Sequence, residues 1–195
     1  MDHIIQFDRQ VFLIINGMHS PFFDFLMFWL SDKFIWIPLY AVLLFLMIRQ
    51  SPARWWLILI SIALLVTITD QVSVKAFKDV FLRLRPCHEP LLEGMVRILN
   101  EHCGGKYGFV SSHATNTFGM AVFSGLMLKK RFGWVLPALL VWAGIISYSR
   151  IYLGVHYPGD VLAGGAVGAL IGWAVFRLYR LADTGVQGKS HRSIH

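Results

Sequence analysis

The stretch Ser149–Asp160 reads Ser-Arg-Ile-Tyr-Leu-Gly-Val-His-Tyr-Pro-Gly-Asp and sets Arg150, His156 and Asp160 between two apolar runs. Ionisable groups at the mouth of a membrane segment are costly unless they are paired or in use. Pro158 suits the first turn of a following helix, which puts Asp160 in that turn, four residues after His156. There its carboxylate can accept a hydrogen bond from one imidazole nitrogen. The other nitrogen is left basic and aimed elsewhere, the orienter-and-base logic of nucleophilic catalysis. Arg150 adds a planar cationic fork suited to phosphate or carboxylate. The plain alternative is a turn histidine beside an arginine that snorkels to the interface.

Two more clusters carry chemistry. One is Lys78-Asp-Val-Phe-Leu-Arg-Leu-Arg85-Pro86; the other is Val110-Ser111-Ser112-His113. Each lies at the end of an apolar run. If those ends share one side of a membrane, the clusters converge as three cations, a hydroxyl, helix N-terminal amides and two histidines. Helix N-termini favour anions, so this is a phosphate pocket furnished with an acid and a nucleophile.

The elements that must position these groups are membrane helices. The chain has 195 residues, 56% hydrophobic and 15% charged, with a mean hydropathy of +0.57. A soluble domain is roughly 45–50% apolar and about 25% charged. The net charge of +7 punctuates apolar runs and forms no stripe, which excludes nucleic acid as the partner. The N-terminus lacks a basic region and cleavage site, so no cleaved signal is expected.

We expect an all-α membrane protein of about five transmembrane helices, with six as the alternative if 11–30 also crosses. The spans fall at 34–48, 55–69 (continuing as a polar-faced helix to Lys78), 113–128, 132–149 and 158–176. Residues 1–33 form an N-terminal interfacial helical region, in which Ile4, Ile5, Phe7, Val11, Phe12, Ile14 and Ile15 share one apolar face. One domain covers 1–182, with a loop at 84–112 and a basic tail at 183–195. Gly164, Gly168 and Gly172 recur every four residues, the spacing of close helix packing.

Five spans put the turns at 49–54 and 129–131 and the tail on one side. There Arg49, Arg54, Lys129, Lys130, Arg131, Arg177, Arg180, Lys189 and Arg192 meet one acid, Asp183. Positive residues mark the cytoplasmic side, so the loop 84–112 and the stretch 149–160 face outward. Cys87 and Cys103 both fall in that loop. An even pair in an oxidising compartment favours a disulfide over two free thiols, worth roughly 3 kcal/mol in the chain-entropy picture.

The pattern Lys-x6-Arg-Pro, Ser-x-His, then Ser-Arg-x5-His-x3-Asp resembles the type 2 phosphatidic acid phosphatase (PAP2) superfamily over Lys78–Asp160. The resemblance implies a PAP2-like helical bundle of the integral-membrane lipid phosphatase branch. It implies His156 as the nucleophile that forms a phosphohistidine, Asp160 as its orienter, and His113 as general acid and later base. It implies Lys78, Arg85, Arg150, Ser111 and the Ser112 amide as phosphate ligands, with no metal and no cofactor. Two positions depart from the family's usual Pro-Ser-Gly-His: Val110-Ser111-Ser112-His113 has valine in place of proline and serine in place of glycine.

The implied substrate is a lipid phosphate or diphosphate at the outer membrane face, with undecaprenyl diphosphate or phosphatidylglycerophosphate leading and the lipid A 1-phosphate as the alternative. A phospholipid binder or transporter would use the cations but needs no acid and nucleophile. A haloperoxidase would be expected outside the membrane branch. A zinc site from His88, His102, His113 and His156 lacks HExxH or CxxC spacing. Asp70 and Lys75, five apart, are a possible pair without an assigned role.

Overall fold

The computed structural model describes residues 2–99 and 103–192, with side chains described for 3–99 and 103–184. His102 and the tail residues Lys189 and Arg192 therefore lie outside the described side chains. Helices dominate: α1 (Asp2–Gly17), α2 (Pro21–Ser31), α3 (Ile37–Gln50), α4 (Trp55–Gln71), the short α5 (Asp79–Phe81), α6 (Ser112–Leu128), α7 (Val135–Tyr152) and α8 (Pro158–Arg192). A π-helical stretch, Val72–Lys78, joins α4 to α5. The sequence places the helix boundaries. Ser20 caps α2 by accepting from the amide of Phe23 at 3.3 Å, with Pro21 in the first turn. Pro158 opens α8 as expected.

The expected five spans correspond to α3, α4, α6, α7 and α8. Pro52–Phe81, Val135–Tyr152 and Pro158–Thr184 are each long and apolar enough to cross a bilayer. The pair His3–Gly17 and Pro21–Ser31, bent by 116°, passes the same test only when joined. At 14 and 17 residues, α3 and α6 are shorter but pack in the same bundle. The last helix runs on past Phe176, where the apolar run ends.

Two cores stack along the bundle. At the end opposite the three motifs, Met47, Ile58, Leu65, Phe123, Leu128 and Val175 pack together. At the motif end, Phe12 of α1 packs with Leu92, Ala114, Ile151, Tyr157 and Val161. Outward-facing Phe45, Ile60, Val141, Leu162 and Leu170 form the apolar belt expected against lipid tails. Exposed Trp55, Trp56 and Trp134 sit beside Arg54 and Arg131 at the basic end, as interfacial aromatics do.

The contact between α6 and α8 depends on missing side chains. A Cβ on Gly164 would stand 2.7 Å from the Ser111 carbonyl oxygen, and one on Gly168 or Gly172 would run into the backbone of Thr115 or Gly119. The small-residue spacing thus lets two backbones touch, and it fixes the start of α6 against the start of α8.

Contrary to expectation, the apolar residues of α1 do not share one face. Asp8, Phe12 and Asn16, four residues apart, face the protein; Phe12 is fully buried and Asn16 is 2% exposed. Ile4, Ile5, Phe7 and Ile14 point outward. The helix thus turns a mixed polar stripe towards its own bundle, because that stripe finds hydrogen-bond partners there that lipid cannot offer.

Candidate active site

Each cluster arrives on a helix end. The π-helical stretch widens the last turns of α4 and presents Lys78, whose Nζ donates to Ser112 Oγ at 2.7 Å. Ser73, fully buried on the same stretch, lies 2.7 Å from Ser112 Oγ. The serine that replaces the usual glycine thus joins a Ser73–Ser112–Lys78 chain, and its hydroxyl holds the lysine ammonium. Leu82, at φ 49°, ends the helix in the left-handed region, and the chain runs extended through Arg83 and Arg85. The Arg85 amide donates to the Lys106 carbonyl at 3.1 Å and its Nε to the Tyr107 carbonyl at 3.3 Å.

Ser111 caps α6, and its amide donates to the Asp160 carbonyl at 3.0 Å. Its side chain is fully buried behind the pocket, so it fixes the helix start and does not reach the cavity wall. Gly154, at φ +81°, turns the chain from α7 towards α8; a Cβ there would meet the Arg97 carbonyl oxygen at 2.6 Å.

His156 and Asp160 are both buried, with Nδ1 of the imidazole 3.5 Å from Oδ2 of the carboxylate. Nδ1 has no hydrogen-bond partner among the described residues, so the carboxylate faces it without bonding it. Nε2 faces the other way, 3.3 Å from an Arg85 guanidinium nitrogen. Burial and the positive charges of Arg85, Arg150 and Lys78 hold the His156 imidazole well below its ordinary pKa, which favours the neutral ring. Gly108 backs the pair: a Cβ on it would stand 3.0 Å from Asp160 Oδ2 and 3.5 Å from His156 Nδ1.

One cavity of about 470 Å³ is lined by His156, His113, Lys78, Arg85, Arg150 and Ser112, six of the eight residues singled out from the sequence. Asp160 lies behind His156, and Ser111 behind the start of α6. Phe28, Ser31 and Asp32 from the end of α2, with Leu99 and Leu153, complete the wall. Arg150 donates to Ser31 Oγ, so α2 reaches one of the cavity's cations directly.

Sequence reasoning missed Arg83 and Asp8. Arg83 NH1 donates to Asp160 Oδ1 at 2.7 Å, and NH2 donates to Asp8 Oδ2 at 2.6 Å. Burial weakens the Arg83 cation, yet Asp160 and Asp8 outweigh it and raise the group above its ordinary pKa. The only signal in the sequence was an arginine two residues before Arg85. Lys75 pairs with Asp79 at 3.5 Å and not with Asp70, because four residues, unlike five, close on one helix face.

Cys87 and Cys103 come together with Cα atoms 6.1 Å apart, within the usual range for a bridge. Cys103 and Gly104 touch the cavity, so this closure borders the site. His88, exposed, faces the Gly104 carbonyl, away from His113 and His156. The described histidines therefore do not gather as the zinc alternative required.

Residues 54–183 match the PAP2 superfamily, and the chain belongs to it. A lipid A 4'-phosphatase of Bacteroides thetaiotaomicron is 37% identical, covering 97% of this chain and 87% of that one. An undecaprenyl-diphosphatase of Sulfolobus acidocaldarius is 30% identical, covering 93% and 81%. A transmembrane phosphatidylglycerolphosphate phosphatase of PAP2 type from Bacillus subtilis has the same fold, with a TM-score of 0.69 at 20% identity, covering 95% and 89%. The chain is an integral-membrane lipid phosphatase.

Proposed function

We propose that this phosphatase removes a phosphomonoester from a saccharolipid of the lipid A class, at the extracytoplasmic face, through a phosphohistidine on His156. The observation that carries the chemistry is a single cavity where His156 and His113 meet Lys78, Arg85 and Arg150. The substrate class rests on the relative of higher identity and near-complete coverage, and it moves our reading from undecaprenyl diphosphate and phosphatidylglycerophosphate to the saccharolipid. The orientation rests on the basic residues at the opposite end of the bundle.

In this reading Nε2 of His156 attacks phosphorus while the bond to the leaving sugar oxygen breaks. His113 gives that oxygen its proton. The ring, now phosphorylated and cationic, is stabilised by Asp160. His113 then takes a proton from water as the water oxygen attacks phosphorus. The phosphorus–nitrogen bond breaks and inorganic phosphate leaves. Lys78, Arg85 and Arg150 neutralise the non-bridging oxygens, which is most of what phosphoryl transfer asks of a protein. The pairing of Cys87 with Cys103 as a disulfide belongs to the same reading, since an outward loop sits in an oxidising compartment.

The test is phosphate release by purified protein in detergent and EDTA, with lipid A, undecaprenyl diphosphate and phosphatidylglycerophosphate side by side. We expect lipid A to be cleaved fastest, and His156→Ala to lower the rate on the order of 10^3-fold or more. Preference for undecaprenyl diphosphate would overturn the substrate. Loss in EDTA with rescue by a divalent ion would overturn the metal-free pocket.

A further inference from the structure

The pair formed by His156 and Asp160 continues beyond Asp160. Arg83 bridges Asp160 Oδ1 and Asp8 Oδ2, and Asp8 Oδ1 accepts from the Gly159 amide at 2.8 Å. The chain of contacts runs Asp8–Arg83–Asp160–His156 and joins α1 to the nucleophile's orienter. The side chains are shielded: Arg83 is 25% exposed, Asp8 13% and Asp160 fully buried. The Arg83 guanidinium carbon lies 4.2 Å over the Tyr157 ring, which pins its plane. Gly159 leaves room for the carboxylate, since a Cβ there would stand 2.8 Å from Asp8 Oδ2.

Charge counting gives the arrangement a purpose. Arg83 and Asp160 alone are neutral together. His156 would then face Arg85, Arg150 and Lys78 with no net negative charge behind it. A second carboxylate on the same guanidinium restores one net negative charge to the cluster. That charge matters most when the imidazole becomes cationic, as it does on accepting a phosphoryl group.

We propose that Asp8, on the N-terminal helix, is a positioning residue for catalysis: by fixing Arg83 it keeps Asp160 aimed at His156, and it supplies the net negative charge behind the imidazole. This rests on His156 being the nucleophile. The competing role is a tether that merely holds the start of α8 through Gly159. Asp8→Asn separates the two, because asparagine keeps an oxygen for the Gly159 amide and loses the charge.

The experiment measures kcat and KM of the purified full chain with lipid A as substrate, for wild type, Asp8→Asn, Arg83→Gln, the double variant and His156→Ala. We expect Asp8→Asn to lower kcat roughly tenfold while KM stays within about twofold, the size of effect seen when a group behind a site's direct ligands is removed. The double variant should fall no further than Arg83→Gln alone, since Asp8 acts through Arg83. Unchanged kcat in Asp8→Asn, a change confined to KM, or additive losses in the double variant would overturn the proposal. Activity surviving in His156→Ala would overturn the underlying reading instead. If Asp8→Asn does not purify folded, Arg83→Gln decides, because it leaves the Asp8 contact to the Gly159 amide in place and cuts the link from Asp8 to Asp160. A lowered kcat there supports the proposal, and an unchanged one overturns it.

Discussion

Two parts of the molecule reach the same cavity by opposite means. The α6 and α8 helices meet through absent side chains, with Gly164, Gly168 and Gly172 letting backbone lie on backbone. The α1 and α2 helices meet the rest through polar side chains that reach across the chain. Asn16 Nδ2 donates to the Arg97 carbonyl at 2.8 Å and to the Tyr152 carbonyl at 2.9 Å, and its Oδ1 accepts from the Arg97 amide at 2.8 Å. Arg97 makes a two-pronged pair with Asp24, one prong at 2.8 Å, and Tyr152 Oη donates to the same carboxylate at 2.6 Å. Arg9 adds a contact to Glu89 at 2.9 Å. The first contact fixes where the catalytic groups start. The second ties Glu89 and Arg97 of the loop to α1 and to the first turn of α2.

The comparison teaches that a membrane enzyme can split rigidity from enclosure. Backbone contact leaves little freedom, and it holds Ser111 at the start of α6 against Asp160 at the start of α8. A polar latch can be specific and yet open, as the wall of a lipid-binding cavity demands.

Breaking the glycine contact should have the largest effect. Gly168→Val places branched carbon against the Thr115 backbone, and overpacking of this kind costs about 1–3 kcal/mol or more. We expect a lowered melting temperature in detergent and loss of phosphatase activity together. Retained activity with a wild-type melting curve would show that the helices tolerate separation.

Breaking the latch should be milder and separable. Asn16→Ala leaves two carbonyls and one amide without their partner, but two of the three contacts are only part-buried, so water replaces them and the net loss is about 1 kcal/mol. We expect protease cleavage within 84–112 to accelerate while the far core, around Phe123 and Val175, stays protected from hydrogen exchange. Equal loss of protection at both ends would merge the two regions into one.

The smallest effect should come from the pair of Arg54 with Asp183, at 2.9 Å and about one-fifth exposed on each side. It serves neither contact, and half-exposed ion pairs contribute about 0–1 kcal/mol. Arg54→Ala should leave kcat unchanged and the melting temperature nearly so. A large loss of activity would mean that the basic end communicates with the cavity.

The legibility of the two regions in the sequence differs for the same reason. The glycine spacing and the acid Asp160 in the first turn after Pro158 are local patterns, so they could be read directly. So could the helix ends that carry Lys78, Arg85, Arg150 and His156. Arg83 could not be told from its neighbours, because its meaning lies in Asp8, 75 residues away. Asp8 and Asn16 looked like the polar side of an interfacial helix, since periodicity reports that a face is polar but not what it meets. Ser112 looked like a lost glycine until Lys78 and Ser73 were placed beside it.

By itself the sequence determined an all-helical membrane chain, the ends of its bundle helices, and three clusters with the residue types for phosphoryl transfer. These follow from hydropathy and short-range spacing, which need no third dimension. Only the tertiary structure decided that α1 and α2 wall the cavity, that Asp160 is held by Arg83 as well as facing His156, and that Ser111 supports the site from behind. Those depend on pairings between residues far apart in the chain, which only the packed bundle brings within hydrogen-bond reach.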